Sequence, residues 1–279
     1  MKKEHLFTMY KPLLFSILIF SVGCNKVVDL NIIPFDGEDD QAVVISNDCK
    51  IKTLESSDGL TFAVEYDDDK PLTIKGNLPS FDKFLYNGNL LTGAQLSVDP
   101  SSQIIFTFDG KGNLSRINFK GSDARGPFDY PTTMTYDAKN RLTALSLSLP
   151  IFNQPADVEL EYNADDNITK VVRKTDFFDE TLLVNHTFDD KKSPFLDQRL
   201  GQILSYFMVY TLIQGDNNYT NFLNKNNVTS STITNDNGKT ELSTEYTYDQ
   251  NDYPTQADIV KVFQGRIRQA SGSYTYKCN

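Results

Sequence analysis

Tyr136-Asp-Ala-Lys-Asn-Arg-Leu-Thr-Ala-Leu-Ser-Leu-Ser-Leu149 decides the fold, because loose copies of it recur along most of the chain. An aromatic residue closes one strand. Asp137 opens a polar turn, and Leu142-Thr143 starts a strand whose apolar residues alternate with polar ones, the pattern of a half-buried β-hairpin. The same template reads in Tyr66-Asp-Asp-Asp-Lys-Pro-Leu-Thr73, Phe108-Asp-Gly-Lys-Gly-Asn-Leu-Ser115, Tyr162-Asn-Ala-Asp-Asp-Asn-Ile-Thr169, Phe188-Asp-Asp-Lys-Lys-Ser-Pro194 and Tyr248-Asp-Gln-Asn-Asp-Tyr-Pro-Thr255. The aromatic residues at 108, 136, 162 and 188 stand 26 to 28 residues apart, room for two strands and two turns per unit.

Backbone chemistry explains the turn residues. The side chain of Asp67, Asp109, Asp137, Asn163, Asp189 or Asp249 can accept the amide two residues on, and Gly112, Asn140 or Asn167 tolerates the positive φ that closes the hairpin. These acids are read as turn formers and not as ligands. The whole is a mainly β chain, a strongly curved antiparallel meander of repeated hairpins closing partly or wholly into a barrel.

The repeat breaks once. In Phe195-Leu-Asp-Gln-Arg-Leu-Gly-Gln-Ile-Leu-Ser-Tyr-Phe-Met-Val-Tyr-Thr-Leu-Ile213, Leu196, Leu200, Ile203, Leu204, Phe207 and Thr211 recur at helical spacing. Ser193-Pro194 is placed to cap this helix and Gly215 to end it. A helical insertion over about 194–227 is therefore expected, its apolar face plugging or covering one face of the curved sheet.

Ahead of the β domain, taken as 42–279, lie two other segments. Residues 1–23 carry Lys2, Lys3 and Lys11, then the apolar run Leu13-Leu-Phe-Ser-Ile-Leu-Ile-Phe-Ser-Val22, too short for a spanning helix and suited to a signal peptide. Gly23-Cys24 follows and resembles the lipobox of bacterial lipoproteins, with Ser21 where Leu is usual. The resemblance makes Cys24 the lipidated residue and residues 24–41 a tether ending in Asp36, Glu38, Asp39 and Asp40. The expected place is the cell envelope, as an outer-membrane lipoprotein held through Cys24, facing either the periplasm or the cell surface. Cys49 and Cys278 remain, and outside the cytoplasm two such cysteines tend to pair.

Charge limits the partners. The chain has 27 Lys+Arg against 37 Asp+Glu, a net charge of −10, which speaks against nucleic acid, since phosphate backbones need clustered cations.

Tyr136-Asp137-x-x-Asn140-Arg141-Leu142-Thr143 is similar to the tyrosine-aspartate repeat of Rhs-type proteins, with Asn in place of the usual Gly. Together with the lipobox, the helix after Phe188-Asp-Asp-Lys-Lys-Ser-Pro-Phe195 and Asn226-Asn-Val-Thr229, the copies resemble a family of Bacteroidetes lipoproteins with a porin-like fold and no established activity. The resemblance implies a broad antiparallel sheet curling into a barrel. It does not imply a pore, because no strand shows the apolar lipid-facing band of an outer-membrane barrel.

Catalysis is poorly served. After the signal segment His186 is the single histidine, and no Gly-x-Ser-x-Gly elbow exists. One histidine and two pairing cysteines leave no nitrogen and thiolate set for zinc or iron. The acids at 67–69, or Asp249 with Asp252, supply oxygen atoms but lack the spacing of a calcium loop. Nothing asks for a cofactor. The leading expectation is a non-enzymatic binding or scaffold domain for a glycan or an envelope protein. Two others compete: an extracytoplasmic glycoside hydrolase, which needs only a carboxylate pair, and a structural subunit of an envelope assembly.

Overall fold

A computed structural model describes residues 49–77, 81–96, 101–123, 126–148, 156–196 and 199–278. The signal segment, Cys24 and the tether lie outside the described residues, as does Leu149.

Sixteen strands follow one another around a closed barrel. The first half runs β1 (Lys50–Ser56), β2 (Phe62–Asp67), β3 (Lys70–Gly76), β4 (Phe81–Asn87), β5 (Leu90–Leu96), β6 (Gln103–Phe108), β7 (Leu114–Asp123) and β8 (Gly126–Tyr136). The second half is β9 (Leu142–Leu147), β10 (Ala156–Tyr162), β11 (Ile168–Lys174), β12 (Asp179–Lys192), β13 (Asn226–Asn235), β14 (Gly238–Tyr248), β15 (Pro254–Phe263) and β16 (Arg266–Lys277). Each pairs antiparallel with its neighbours in sequence, and β16 returns to β1 with Lys277 opposite Lys50 and Gly272 opposite Ser56. The meander therefore closes completely. A disulfide joins Cys49 to Cys278 beside that seam.

Because the strands alternate in direction, odd strands begin at one rim, the turn rim, and even strands begin at the far rim. The repeated turns all fall on the turn rim. Asp109 Oδ1 accepts the amides of Lys111 and Asn113, both at 2.9 Å; Asp137 Oδ1 accepts those of Lys139 and Arg141 at 2.9 and 3.0 Å. Asn163 Oδ1 and Asp249 Oδ1 do the same for Asp165 and Asn167, and for Asn251 and Tyr253. A single acceptor oxygen holds two amides, so Asn serves as well as Asp. Positive φ falls on Gly112 and Asn140, and then on Asp166 and Asp252; Asn167 was the expected carrier in the third turn, but its amide is the one Asn163 holds, which moves the left-handed residue one place earlier.

Two copies of the template behave differently. Asp67 ends β2 opposite Lys70, across a two-residue connection with Asp68 at φ +48°, and no four-residue turn forms there. Asp189 opens no hairpin, since β12 continues through it to Lys192. Its carboxylate accepts the Lys191 amide two residues on at 3.0 Å, as expected, but also the Asn227 amide at 3.0 Å and the Tyr248 hydroxyl, tying β12 to β13 and β14.

The strand-end tyrosines add a second device. Tyr66, Tyr86, Tyr136, Tyr162, Tyr246 and Tyr276 each donate their hydroxyl to a carbonyl near the start of the neighbouring odd strand, those of Ile51, Pro71, Leu114, Leu142, Val228 and Pro254, at 2.7 to 3.2 Å. The aromatic ring packs against the core while its oxygen fixes the register. Exchanging Asp137 for Ala frees two amides and is expected to lower stability by about 1 kcal/mol in a urea titration, the size of a lost cap. A change below about 0.3 kcal/mol would remove the turn from the account of the fold.

Inward and outward faces are opposite in character. On β10, Ala156, Val158 and Leu160 are buried while Asp157, Glu159 and Glu161 face solvent. On β14, Thr240 and Leu242 are buried and Lys239, Glu241, Ser243, Glu245 and Thr247 are exposed. Surface pairs such as Lys170 with Glu161 and Lys174 with Glu159 cross the outer face.

Candidate functional site

The insertion occupies the barrel interior. Its helix α1 (Arg199–Gln214) buries Leu200, Ile203, Leu204, Met208, Val209, Leu212 and Ile213 in the same core as the strands. Pro194 to Leu196 form a turn before it, so Ser193-Pro194 does not cap the helix; the Ser193 hydroxyl donates to the Asn224 carbonyl at 2.6 Å instead. Gly215 follows the helix, its amide donating to Thr211 at 2.8 Å. Arg199 lies over Phe108 at the turn rim, whereas the far end of α1 meets Asn235, whose amide nitrogen donates to the carbonyls of Leu212 and Gly215. The helix thus runs from one rim to the other. Residues 216–225 return alongside it through a single turn of 3-10 helix, Thr220–Phe222.

A helix lying inside a sheet leaves polar backbone and side-chain groups away from water, and each needs a partner. Asparagines supply them. Buried Asn185 donates to the Ile168 carbonyl at 2.6 Å and to Thr220 Oγ1 at 3.1 Å, and accepts from Asn218 at 2.8 Å. Buried Asn224 accepts the Ile168 amide at 2.7 Å, and buried Asn227 donates to the Lys192 carbonyl at 2.9 Å. These residues fasten the returning limb to the wall.

A charged latch holds the far end. Lys261 is fully buried on the inner face of β15, with Nζ 2.6 Å from Asp58, 3.3 Å from Asp216 and 2.7 Å from Asn217 Oδ1. Arg268 pairs with Asp216 from the other side. Partial burial pushes the Asp216 carboxyl up, but the charges of Lys261 and Arg268 outweigh it and hold that carboxyl below the usual range. Burial also opposes ionisation of Asp137, where the Arg141 amide and guanidinium prevail and lower it. A carboxyl that titrates lower in the folded state stabilises above its unfolded value near pH 4 and loses that contribution as pH falls through the folded value. The urea midpoint is therefore expected to stay level from about pH 7 to about pH 5 and to drop below about pH 4, with Asp216→Asn removing part of the drop. A midpoint that falls between pH 7 and pH 5 would contradict it.

Between the returning limb and the wall of β14, β15, β16 and β1 lies a cavity of about 60 Å³. Its lining includes Asn218, Tyr219, Asn221, Thr244, Tyr246 and Tyr274, and carries no ionisable acid or base other than tyrosine. Gly272 lines the cavity from β16 with no side chain to fill it, and Ala257 lies beside it.

The candidates from sequence fall elsewhere. His186 is exposed on the outer face, its Nε2 2.9 Å from Thr232 Oγ1. Two of the acids considered for calcium are engaged by cations, Asp69 by Lys50 and Asp252 by Lys191 at 2.8 Å, and Asp249 accepts the amides of Asn251 and Tyr253. Among the described residues no group of three or more His, Cys, Asp or Glu is placed to hold a metal ion. Asp109, Asp137, Asn163 and Asp249 sit in rim turns away from the cavity. Sequence reasoning missed Lys261, although it shares the parity of inward-facing Ala257 and Ile259, and it missed the cavity.

Among the described residues no helix is long and apolar enough to cross a membrane. No family model matches the chain, and no curated protein matches it. Solved structures do. A porin-like protein from Bacteroides vulgatus superposes with a TM-score of 0.47 at 9% identity, over 82% of this chain and 99% of its own. A porin-like protein from Bacteroides uniformis superposes with a TM-score of 0.52 at 14% identity, over 81% of this chain and 98% of its own, and what the two chains share is the fold.

Proposed function

We propose that the chain is an envelope lipoprotein anchored through Cys24, whose barrel stands in water beside the membrane and serves as a non-enzymatic binding or scaffold domain. The observation that carries this reading is the distribution of polarity. A membrane barrel turns its apolar side chains outward to lipid, and a cation at mid-bilayer on that face costs about 2–4 kcal/mol, an anion somewhat less. Here the outward rows of β10 and β14 are charged and the apolar residues face in. Among the described residues, moreover, α1 and the returning limb fill the interior, and no open channel of the porin kind runs through them.

The hydrolase reading is less well supported. Asp58 and Asp216 approach one another, but Lys261 lies between them, and a lowered Asp216 is the reverse of a general acid. One observation favours an assembly role. At the tip of the β11–β12 hairpin Phe177 and Phe178 are 92% and 63% exposed, and Thr175 Oγ1 accepts the Phe178 amide at 3.0 Å, bracing the backbone of the turn that carries both rings. Exposed paired aromatics are what a protein partner buries.

Anchoring is tested by expressing the full chain and its Cys24→Ala variant in a lipoprotein-processing bacterium fed an alkyne fatty acid. Label on the wild type alone, with the variant moving from the membrane to the soluble fraction, is the expected result. Equal labelling, or a variant that stays in the membrane after high-salt washing, would overturn the reading.

A further inference from the structure

The cavity beside the returning limb has a chemistry of its own. Tyr246 and Tyr274 project inward from β14 and β16, deep in the protein, yet both keep part of their surface free because the hollow lies against them. Burial pushes the Tyr274 hydroxyl up to about 12, so it is a neutral donor and acceptor at physiological pH. Among the described residues nothing hydrogen-bonds to Tyr274 Oη or to Thr244 Oγ1. Tyr219 Oη accepts the Leu60 amide at 2.6 Å, which leaves its own proton to donate. Tyr246 is engaged by contrast, donating to the Val228 carbonyl and accepting from Asn221.

Each class of occupant can be weighed against this lining. An ion would enter without a counter-charge, because Lys261, Arg268, Asp58 and Asp216 neutralise one another outside the lining. An apolar guest would leave the hydroxyls of Thr244 and Tyr274 buried and unpaired. A group that both donates and accepts, on a short carbon chain that lies against aromatic rings, satisfies both demands. At roughly 10–15 Å³ per water-sized group, the space of about 60 Å³ holds about four to six such groups, the size of a glycerol molecule or of the hydroxymethyl end of a sugar.

We propose that this hollow between residues 217–222 and the wall of β14 to β16 is a binding site for a small uncharged polyhydroxy group, carried either by a free polyol or by a carbohydrate terminus. It deepens the binding reading of the previous section and rests on it, but its test makes no use of the anchor.

Gly272 provides the control. A Cβ added there meets nothing nearer than 3.6 Å, so Gly272→Ala fits as an ordinary contact, and Gly272→Val extends methyl groups into the hollow on a strand that favours β-branched residues. Amide NMR spectra of the purified full chain would be titrated with glycerol, with methyl α-glucoside and with 1-propanol. The expected result is saturable shifts at Thr244, Gly272 and Tyr274 with glycerol or the glucoside, absent in Gly272→Val. Tyr274→Phe should weaken binding about fivefold, the worth of one hydrogen bond, at an unchanged melting temperature. Saturation by glycerol alone assigns a free polyol; tighter binding of the glucoside assigns a carbohydrate terminus. Shifts that stay linear to molar glycerol, an equal response in Gly272→Val, or equal saturation by 1-propanol would each overturn the proposal. Should Gly272→Val fail to fold, Gly272→Ala with Tyr274→Phe carries the same comparison. Failure of this titration leaves the Cys24 test standing, and the reverse also holds.

Discussion

Replacing Cys278 by Ser is expected to lower the melting temperature by about 10 °C, the consequence of losing roughly 2–4 kcal/mol in a domain of this size. The cross-link joins residues 229 apart in sequence. Reduced, the unfolded chain recovers the freedom of a loop almost as long as the barrel, and in the chain-entropy account that freedom sets an upper figure near 5 kcal/mol. The seam it guards is also one of the two contacts between neighbouring strands that no short turn enforces: β1 and β16 pair from Lys50 with Lys277 to Ser56 with Gly272, and they find each other across the whole chain. Every other neighbouring pair is held by a connection of local length, apart from β12 and β13, which the insertion separates. Calorimetry with and without reductant checks the expectation. Reductant should shift the wild type to the variant's temperature and leave the variant unmoved. Equal melting of both proteins under oxidising conditions would show that strand pairing alone closes the barrel.

The second large effect is expected at Gly201, where α1 meets the returning limb. A Cβ built on Gly201 would lie 2.0 Å from the Phe222 carbonyl oxygen. That oxygen belongs to backbone and cannot swing aside as a side chain would, and the limb that carries it is pinned by Asn185 to Thr220 and by Asn224 to Ile168. Gly201→Val must therefore part the helix from the limb, and a loss of about 3 kcal/mol is expected in urea unfolding, the upper end for overpacking. Gly110 is the matched control, since an added Cβ there meets nothing within 4 Å. Its exchange for Val should stay within about 0.5 kcal/mol. Similar losses at the two sites would mean that the limb does not rest on the helix.

Local chemistry was legible in the sequence and long-range consequence was not. The four-residue turns at Asp109, Asp137, Asn163 and Asp249 follow from one acceptor oxygen and one left-handed residue, both written within five positions. Asp189 carries the same letters and holds the Lys191 amide, yet its carboxylate also binds Asn227 and Tyr248, partners 38 and 59 residues away, and the strand runs on. The linkage of neighbouring turns was equally hidden. Arg141 reaches Asp166 at 2.8 Å, Asn167 reaches Asn226 at 3.0 Å and Lys191 reaches Asp252 at 2.8 Å, so the turns brace one another along the rim. Those contacts depend on strand register, which the repeat spacing of 26 to 28 residues does not specify. The helix was legible from its period, while its path through the interior was not, because an apolar stripe looks the same whether it covers a sheet or fills a barrel. The hollow could have been suspected from Gly272, which lines it on the inward parity of β16, and from Ala257 opposite it, once the pairing of β15 and β16 was known.

The water-facing barrel is tested most directly by spin labels at Ser243, Gln256 and Gln269, three exposed positions on the outer face, in the full chain held in native membranes. High collision rates with a water-soluble nickel chelate and low rates with oxygen at all three are the expected result. Oxygen-dominated collisions at any of them, with the chelate excluded, would place that face in lipid and contradict the account.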